Sequence, residues 1–198
     1  MKKLFKFFCF LFIWFVITII GCFLYVKLSP TVTINSANNI SLYDTNKTIY
    51  FKGNESKEWV DLDDISDYLI KSTIYTEDKN FYKHFGFDFL RIGKAILTNI
   101  TSHSTNQGAS TITQQYAKNL FLDFDKTWKR KWDEMWYTMR IEANYSKDEI
   151  LEGYLNTINY GHGKYGIENA SKFYFNKSSK DLDLAEASML SGIPKAPS

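Results

Sequence analysis

Cysteine and histidine are scarce in this sequence of 198 residues, and their positions exclude several kinds of site. Cys9 and Cys22 both lie in an apolar run near the N-terminus, so the rest of the chain cannot form a disulfide or a zinc site built from thiolates. The three histidines, at positions 84, 103 and 162, lack the spacing of metal ligands. The net charge of +2 gives no indication of nucleic-acid binding, and we expect no nucleic-acid partner.

Long apolar runs are also absent, with one exception at residues 4–26, LFKFFCFLFIWFVITIIGCFLYV. Lys6 is its only charge, and as a helix the run would cross a hydrocarbon core of about 30 Å. We interpret residues 1–29 as a cytoplasmic tip and a transmembrane helix. Lys2 and Lys3 precede the run while Lys27 alone follows it closely, which predicts a cytoplasmic N-terminus and an extracytoplasmic remainder.

Two alternatives to this single-pass anchor remain. The first is a cleaved signal peptide, although the run is longer than a typical signal core and no small-x-small cleavage site follows it. The second is lipidation, because IIGC at residues 19–22 resembles a bacterial lipoprotein processing box that would acylate Cys22. The apolar run continues past Cys22, which favours the uncleaved anchor.

After the anchor the sequence predicts a β-prone linker, residues 30–61, and a helical domain, residues 62–198. Two β-prone stretches around Leu42 and Ile49 flank DTNK at residues 44–47, which indicates a short hairpin, with an extended linker as the alternative. From Leu62 onward the apolar residues recur with the helical spacing of about 3.6. The fold class is therefore mainly α.

Within the helical domain, residues 99–108 have one large apolar residue and predict a loop. A long amphipathic helix over residues 126–145 is expected to bury an apolar side formed by Trp128, Trp132, Met135, Trp136 and Met139. Ser146 with Glu149 predicts a capping box for the next helix. In that helix we expect a core set of Ile150, Leu151, Tyr154, Leu155 and Ile158.

Residues 73–88, TIYTEDKNFYKHFGFD, place a carboxylate among aromatic side chains. Glu77 ends an apolar helical stripe and is followed by Phe81, Tyr82 and Phe85. Such surroundings desolvate a carboxylate and make it a better proton acceptor, as a general base requires. An exposed Glu-Asp pair at a helix end is the alternative.

Two further stretches combine polar groups at helical spacing. GASTITQQYAKN, residues 108–119, can be capped by Ser110 or a neighbour and places Thr111, Gln114 or Gln115, and Lys118 three and four residues apart. Such a face can hold a polyoxygenated anion, although an ordinary solvated face has the same pattern. RKWDE, residues 130–134, sets Arg130 and Lys131 beside Glu134, as a surface ion pair or as fixed cations that neutralise a phosphate leaving group. The glycines at 161, 163 and 166 follow no strand, which argues against a dinucleotide site.

In this order the stretches resemble the peptidoglycan glycosyltransferase domain, glycosyltransferase family fifty-one, of monofunctional transglycosylases and class A penicillin-binding proteins. EDKNFYKHFGFD resembles the family's first motif, GASTITQQYAKN the second, RKWDE the third and KDEILEGYLN the fourth. The resemblance covers roughly residues 42–198. It implies a lysozyme-like helical domain on the outer face of the bacterial cell membrane that polymerises lipid II into β-1,4-linked glycan, with inversion and release of undecaprenyl diphosphate.

The resemblance also implies roles for individual residues. Glu77 would be the general base for the sugar 4-hydroxyl, and Glu134 a second carboxylate beside the donor diphosphate. The implied substrate-binding set comprises Ser110, Thr111 and Gln115 in the donor site and Lys118, Arg130 and Lys131 on the diphosphate. A divalent cation, Mg²⁺ or Mn²⁺, held by Glu134 is an optional partner, and no organic cofactor is expected. The implied partners are lipid II, the lipid-linked glycan strand, the membrane and other cell-wall synthesis proteins.

The sequence departs from the family pattern in two places. Lys94 stands where the family usually has Arg, and the sequence ends at Ser198, some tens of residues earlier than the family's domain. We therefore expect a domain that is short at its C-terminus, with a non-catalytic membrane-bound scaffold as the alternative function. A muramidase of related fold is a further alternative, but hydrolysis has no diphosphate for the cationic residues to hold.

Overall fold

The computed structural model describes residues 2–29, 41–43, 49–52, 58–102, 110–121 and 128–195. The chain separates into two compact units, Met1–Val32 and Thr33–Ser198.

The first unit contains one long helix, α1 (Lys2–Leu28). Its segment Phe10–Leu28 is long and apolar enough to cross a membrane. Large apolar side chains such as Phe10, Phe12 and Trp14 are exposed along it. The predicted apolar helix is confirmed.

The second unit begins with a two-stranded antiparallel sheet, β1 (Ser41–Tyr43) and β2 (Ile49–Lys52). Ser41 pairs with Lys52 and Leu42 with Phe51. The predicted hairpin is confirmed, while its turn, residues 44–47, lies outside the described residues.

The other elements that the structure describes in the second unit are helical, which confirms the mainly α fold. The helices are α2 (Asp67–Glu77), α3 (Phe89–Ser102), α4 (Ile112–Phe121), α5 (Trp128–Asn144), α6 (Lys147–Thr157), α7 (Ile167–Phe175) and α8 (Leu184–Gly192). Short 3₁₀ turns lie at Leu62–Asp64, Phe81–Lys83, Ser179–Asp181 and Ile193–Lys195. The predicted loop at 99–108 is wrong for residues 99–102, which continue α3, because no Gly or Pro interrupts the chain before Gly108. Its remainder, residues 103–108, lies outside the described residues.

The core is centred on α4 and α6, which pack directly against each other. The core residues predicted for α6 are all buried, namely Ile150, Leu151, Tyr154 and Leu155 inside the helix and Ile158 as its C-cap. Facing them, α4 buries Ile112, Tyr116, Ala117 and Leu120. The predicted capping box of Ser146 and Glu149 begins α6. Since α4 also packs on α5, it lies at the centre of the helical unit.

The apolar side predicted for α5 is partly wrong. Trp132 is 68% exposed, and the residues that α5 buries are Glu134, Thr138, Ile141 and Glu142. Residues in a helix are about 100° apart, so Trp132 lies about 200° around the axis from Glu134. The buried face of α5 is therefore the one that carries Glu134 and not the one that carries Trp132. The side chain of Trp128 lies outside what the structure describes.

Residues 59–62 form a strap across α6, held by two side chains. Asn156 accepts a hydrogen bond from the Val60 amide (3.0 Å) and donates one to the Val60 carbonyl (2.8 Å). Glu152 accepts from the Trp59 indole (3.0 Å) and from the Leu62 amide (2.9 Å). The linker is thereby fixed to the helical unit before α2 begins.

The close packing of α4 on α6 depends on Gly153. A Cβ at this position would lie 2.2 Å from the Tyr116 hydroxyl oxygen and 2.5 Å from the adjacent ring carbon. We expect Gly153→Ala to lower the free energy of unfolding by about 1–3 kcal/mol, because Tyr116 is fully buried and must move. The loss should appear as a lower melting temperature in far-ultraviolet circular dichroism.

Gly93→Ala is the matched control, since Gly93 lies inside α3 and an added Cβ there would meet nothing within 4 Å. We expect it to raise stability by up to about 1 kcal/mol through helix propensity. Equal melting temperatures for the Gly153→Ala variant and the wild-type chain would contradict the close approach of the two helices.

Candidate active site

Glu77 is the last residue of α2, and its carboxylate is buried. Its Oε2 accepts a hydrogen bond from the side-chain nitrogen Nε2 of Gln115 at 2.8 Å. Its Oε1 is also shielded from solvent, and it has no hydrogen-bond partner among the described residues. One oxygen of Glu77 is therefore held by a donor, and the other has no donor among the described residues.

The end of α2 is fixed by a cation from α3. The Arg91 guanidinium donates to the backbone carbonyl of Glu77. The carbonyls at a helix C-terminus have no partner inside the helix and attract positive charge. This contact fixes the backbone from which the Glu77 side chain projects.

Asp78, the neighbour of Glu77, points to different partners. Its two oxygens lie 3.0 Å from His84 Nε2, and Oδ2 also accepts from the Ile112 amide at 3.2 Å. That amide is at the N-terminus of α4, where the helix dipole favours a negative charge. Asp78 thus joins the end of α2 to the start of α4. The sequence showed the Glu-Asp pair but did not reveal this role for Asp78.

The start of α4 is also fixed by Thr111, which is fully buried. The backbone N–H of Gln114 donates to the Thr111 hydroxyl at 3.2 Å. In return, the backbone N–H of Thr111 donates to the Gln114 side-chain oxygen at 3.1 Å. These reciprocal bonds have the pattern of a capping box. The Thr111 hydroxyl in turn donates to the Gly86 carbonyl at 2.7 Å.

Gly86 occupies a position that only glycine fits. Its φ is +76°, and a Cβ would lie 2.7 Å from Thr138 Cγ2 and 3.0 Å from Glu142 Cγ on α5. The turn after Glu77 can therefore approach α5 closely, and this approach places the Gly86 carbonyl within reach of Thr111.

Glu134 on α5 is the second buried carboxylate of the site, at 3% exposed. It forms ion pairs with Lys131, three residues before it, and with Arg130, whose Nη1 lies 3.5 Å from Oε2. Gln114 Nε2 lies 3.5 Å from Oε1. The two cations and the carboxylate lie together, as the spacing of RKWDE predicted.

Glu77 and Glu134 line the same cleft, which has a volume of about 240 Å³. The described residues around it are Glu77, Ser110, Gln114, Gln115, Lys118, Glu134 and Pro194. The sequence predicts five of these as site residues and gives Gln114 as an alternative to Gln115, whereas it contains no signal for Pro194. Arg130 and Lys131 reach the site through Glu134, whereas the Thr111 hydroxyl is directed to Gly86 and does not line the cleft.

Two buried tyrosines lie close to the charge of Glu77. Burial raises the pKa of Tyr154 well above its usual value, and the negative charge of Glu77 adds to the effect. Burial likewise raises the pKa of Tyr160, with Glu77 again contributing. Tyr154 also donates a hydrogen bond to the Gln115 side-chain oxygen at 3.2 Å. The sequence had suggested only a core role for Tyr154, because its spacing is that of an apolar stripe.

Comparison with known proteins gives a consistent result. The model of the transglycosylase family matches residues 44–198. The chain is 53% identical over 170 residues to penicillin-binding protein 2D of Bacillus subtilis, covering 86% of this chain and 25% of that protein. It is 46% identical over 152 residues to penicillin-binding protein 1A of Neisseria lactamica, covering 77% of this chain and 19% of that protein. The chain thus spans about a quarter or less of the length of these curated relatives.

Proposed function

The chain belongs to the transglycosylase family, and we propose that it is a peptidoglycan glycosyltransferase that polymerises lipid II into β-1,4-linked glycan strands. The observation that carries this proposal is the unequal pair of carboxylates in one cleft. The Glu77 carboxylate accepts from a neutral amide through Oε2 and its Oε1 has no hydrogen-bond partner among the described residues, whereas Glu134 is paired with cations.

In the proposed reaction the 4-hydroxyl of one lipid II attacks the anomeric carbon of a glycan strand that is α-linked to a lipid diphosphate. The new C–O bond forms as the bond to the diphosphate oxygen breaks, and that oxygen leaves with the electron pair. Attack from the opposite face inverts the carbon and gives the β-1,4 linkage. The hydroxyl proton passes to Oε1 of Glu77, which supplies the general base that a weak sugar nucleophile needs.

The cationic side of the cleft stabilises the negative charge of the leaving diphosphate. Lys118 lines the cleft, and Lys131 and Arg130 are held beside it by Glu134. A diphosphate is charged in the bound substrate and gains charge as it leaves, so fixed cations stabilise both states and stabilise the transition state more.

A divalent cation fits these residues poorly. Mg²⁺ takes oxygen ligands in a near-octahedral arrangement, usually through one or two carboxylates together with substrate phosphates. The Glu134 oxygens already accept from Lys131, Arg130 and Gln114. The proposed mechanism therefore uses the cations of the protein.

Glu77→Gln tests the base. The amide keeps the shape of the side chain but cannot accept the proton, so we expect polymerisation of labelled lipid II in detergent to fall by about 10²- to 10⁴-fold. Binding of lipid II should persist. Glu58→Gln is the matched control, because Glu58 pairs with Lys172 outside the cleft. Near-normal polymerisation by the Glu77→Gln variant would eliminate Glu77 as the base.

Lys131→Ala tests the leaving-group side. A charge-assisted contact to the diphosphate is present before and during the reaction, so we expect both weaker lipid II binding and a loss in kcat/KM of about tenfold or more. Lys129→Ala is the control, since Lys129 is an exposed residue on the same helix. Equal kcat/KM values for the two variants would remove Lys131 from the diphosphate site.

We also propose that α1 is a single-pass anchor in the bacterial cell membrane, with the N-terminus in the cytoplasm and the helical unit outside. The support is the length and apolarity of Phe10–Leu28 together with the lysines that precede it. Protease added to intact cells should digest the helical unit, whereas an N-terminal tag should survive. Protection of the helical unit would show the opposite orientation.

A further inference from the structure

A chain of two hydrogen bonds links α6 to the base through α4. The Tyr154 hydroxyl donates to Gln115 Oε1 at 3.2 Å, and Gln115 Nε2 donates to Glu77 Oε2 at 2.8 Å. The amide of Gln115 thus accepts at one end and donates at the other. If it were rotated by 180°, its oxygen would face the carboxylate and its NH₂ group would face the Tyr154 hydroxyl.

The Glu77 carboxylate only accepts hydrogen bonds, so it requires the NH₂ group of Gln115 on its side. The Tyr154 hydroxyl reinforces this orientation by donating to Gln115 Oε1. Tyr154 is fully buried, and its pKa is raised by burial and by the nearby charge of Glu77, so its hydroxyl keeps its proton at any pH suited to an assay. A hydroxyl that donates to Gln115 Oε1 favours the orientation in which Nε2 donates to Glu77.

We propose that Tyr154 is a positioning residue, which acts through Gln115 to hold Oε2 of Glu77 and thereby leaves Oε1 as the oxygen that accepts the proton. This inference rests on the proposed function, since it assigns a task to the same base. A carboxylate has two equivalent oxygens, and a base in which either could be engaged would spend part of its time with the wrong one facing the nucleophile. Fixing one oxygen in the resting protein lowers the reorganisation needed for reaction.

The test compares the full chain with Tyr154→Phe, Gln115→Met and the double variant. Tyr154→Phe keeps the buried ring and removes one hydroxyl, so we expect kcat for lipid II polymerisation to fall about three- to tenfold, the effect of one neutral hydrogen bond. KM should be unchanged, because in the proposed arrangement the hydroxyl contacts Gln115 and not the substrate. In the Gln115→Met background, removing the Tyr154 hydroxyl should cause no further loss of kcat.

Tyr116→Phe is the matched control. Tyr116 is also fully buried between α4 and α6, and its hydroxyl has no hydrogen-bond partner in the part of the chain that the structure describes. We expect its kcat to equal that of the wild-type chain. A similar loss of kcat in both Tyr→Phe variants would mean that any change in this core slows the enzyme, and the positioning role would be overturned.

A second measurement separates this inference from the proposed function. Melting temperatures of the four chains of the cycle report the hydrogen-bond coupling of Tyr154 and Gln115 without any substrate. If the two single substitutions lower the melting temperature by amounts that add up in the double variant, Tyr154 and Gln115 are not coupled and the proposed chain of hydrogen bonds is overturned. If they are coupled but Tyr154→Phe leaves kcat unchanged, the positioning role of Tyr154 is overturned. If the wild-type chain were inert towards lipid II, the proposed function would fail, while coupled melting temperatures would still support the hydrogen bond between Tyr154 and Gln115.

Discussion

The structure around the cleft depends on one constraint, which is that carboxylates buried away from water must obtain hydrogen-bond donors. Four consecutive residues at the start of α4 supply them. The Ile112 amide donates to Asp78, the Thr113 hydroxyl to Glu142 (2.5 Å), the Gln114 amide group to Glu134 and the Gln115 amide group to Glu77. Glu77 and Asp78 lie at the C-terminal end of α2, and Glu134 and Glu142 lie on α5. The first turn of α4 therefore fixes both α2 and α5. The positive end of the helix dipole adds to the effect.

The same arrangement gives the two carboxylates of the cleft different properties. Glu134 is neutralised by cations from its own helix, which α5 supplies at spacings of three and four residues. Glu77 has a neutral amide as its side-chain donor among the described residues. A proton acceptor and a site for anions can therefore occupy one cleft. Behind them, Glu142 also accepts from Lys147 at 2.7 Å, and that ammonium lies 4.5 Å from the centre of the Phe81 ring, which holds α6 to the turn after Glu77.

Local patterns predicted much of this fold, and contacts between distant residues account for the rest. The capping box at Ser146 and the core stripe of α6 depend on spacing within one helix, so the sequence shows them directly. The sequence does not show the roles of Thr111 and Tyr154, because their partners Gly86 and Gln115 lie 25 and 39 residues away along the chain. Trp132 illustrates the limit of hydrophobicity as a guide, since it is exposed while Glu134 and Glu142 on the same helix are buried against donors from α4. Glu77 and Glu134 could be named in advance because the motifs around them resemble a known family.

The strap at residues 59–62 has a mechanical consequence. Its four hydrogen bonds to Glu152 and Asn156 lie between α2 and everything that precedes it in the chain. A pull transmitted along the linker would load these bonds together, and α6, a well-buried helix with a capped start, would take up the force. Tension would be diverted before it reached Asp67, the first residue of α2, and the backbone that carries Glu77 would stay unstrained while the linker is stretched.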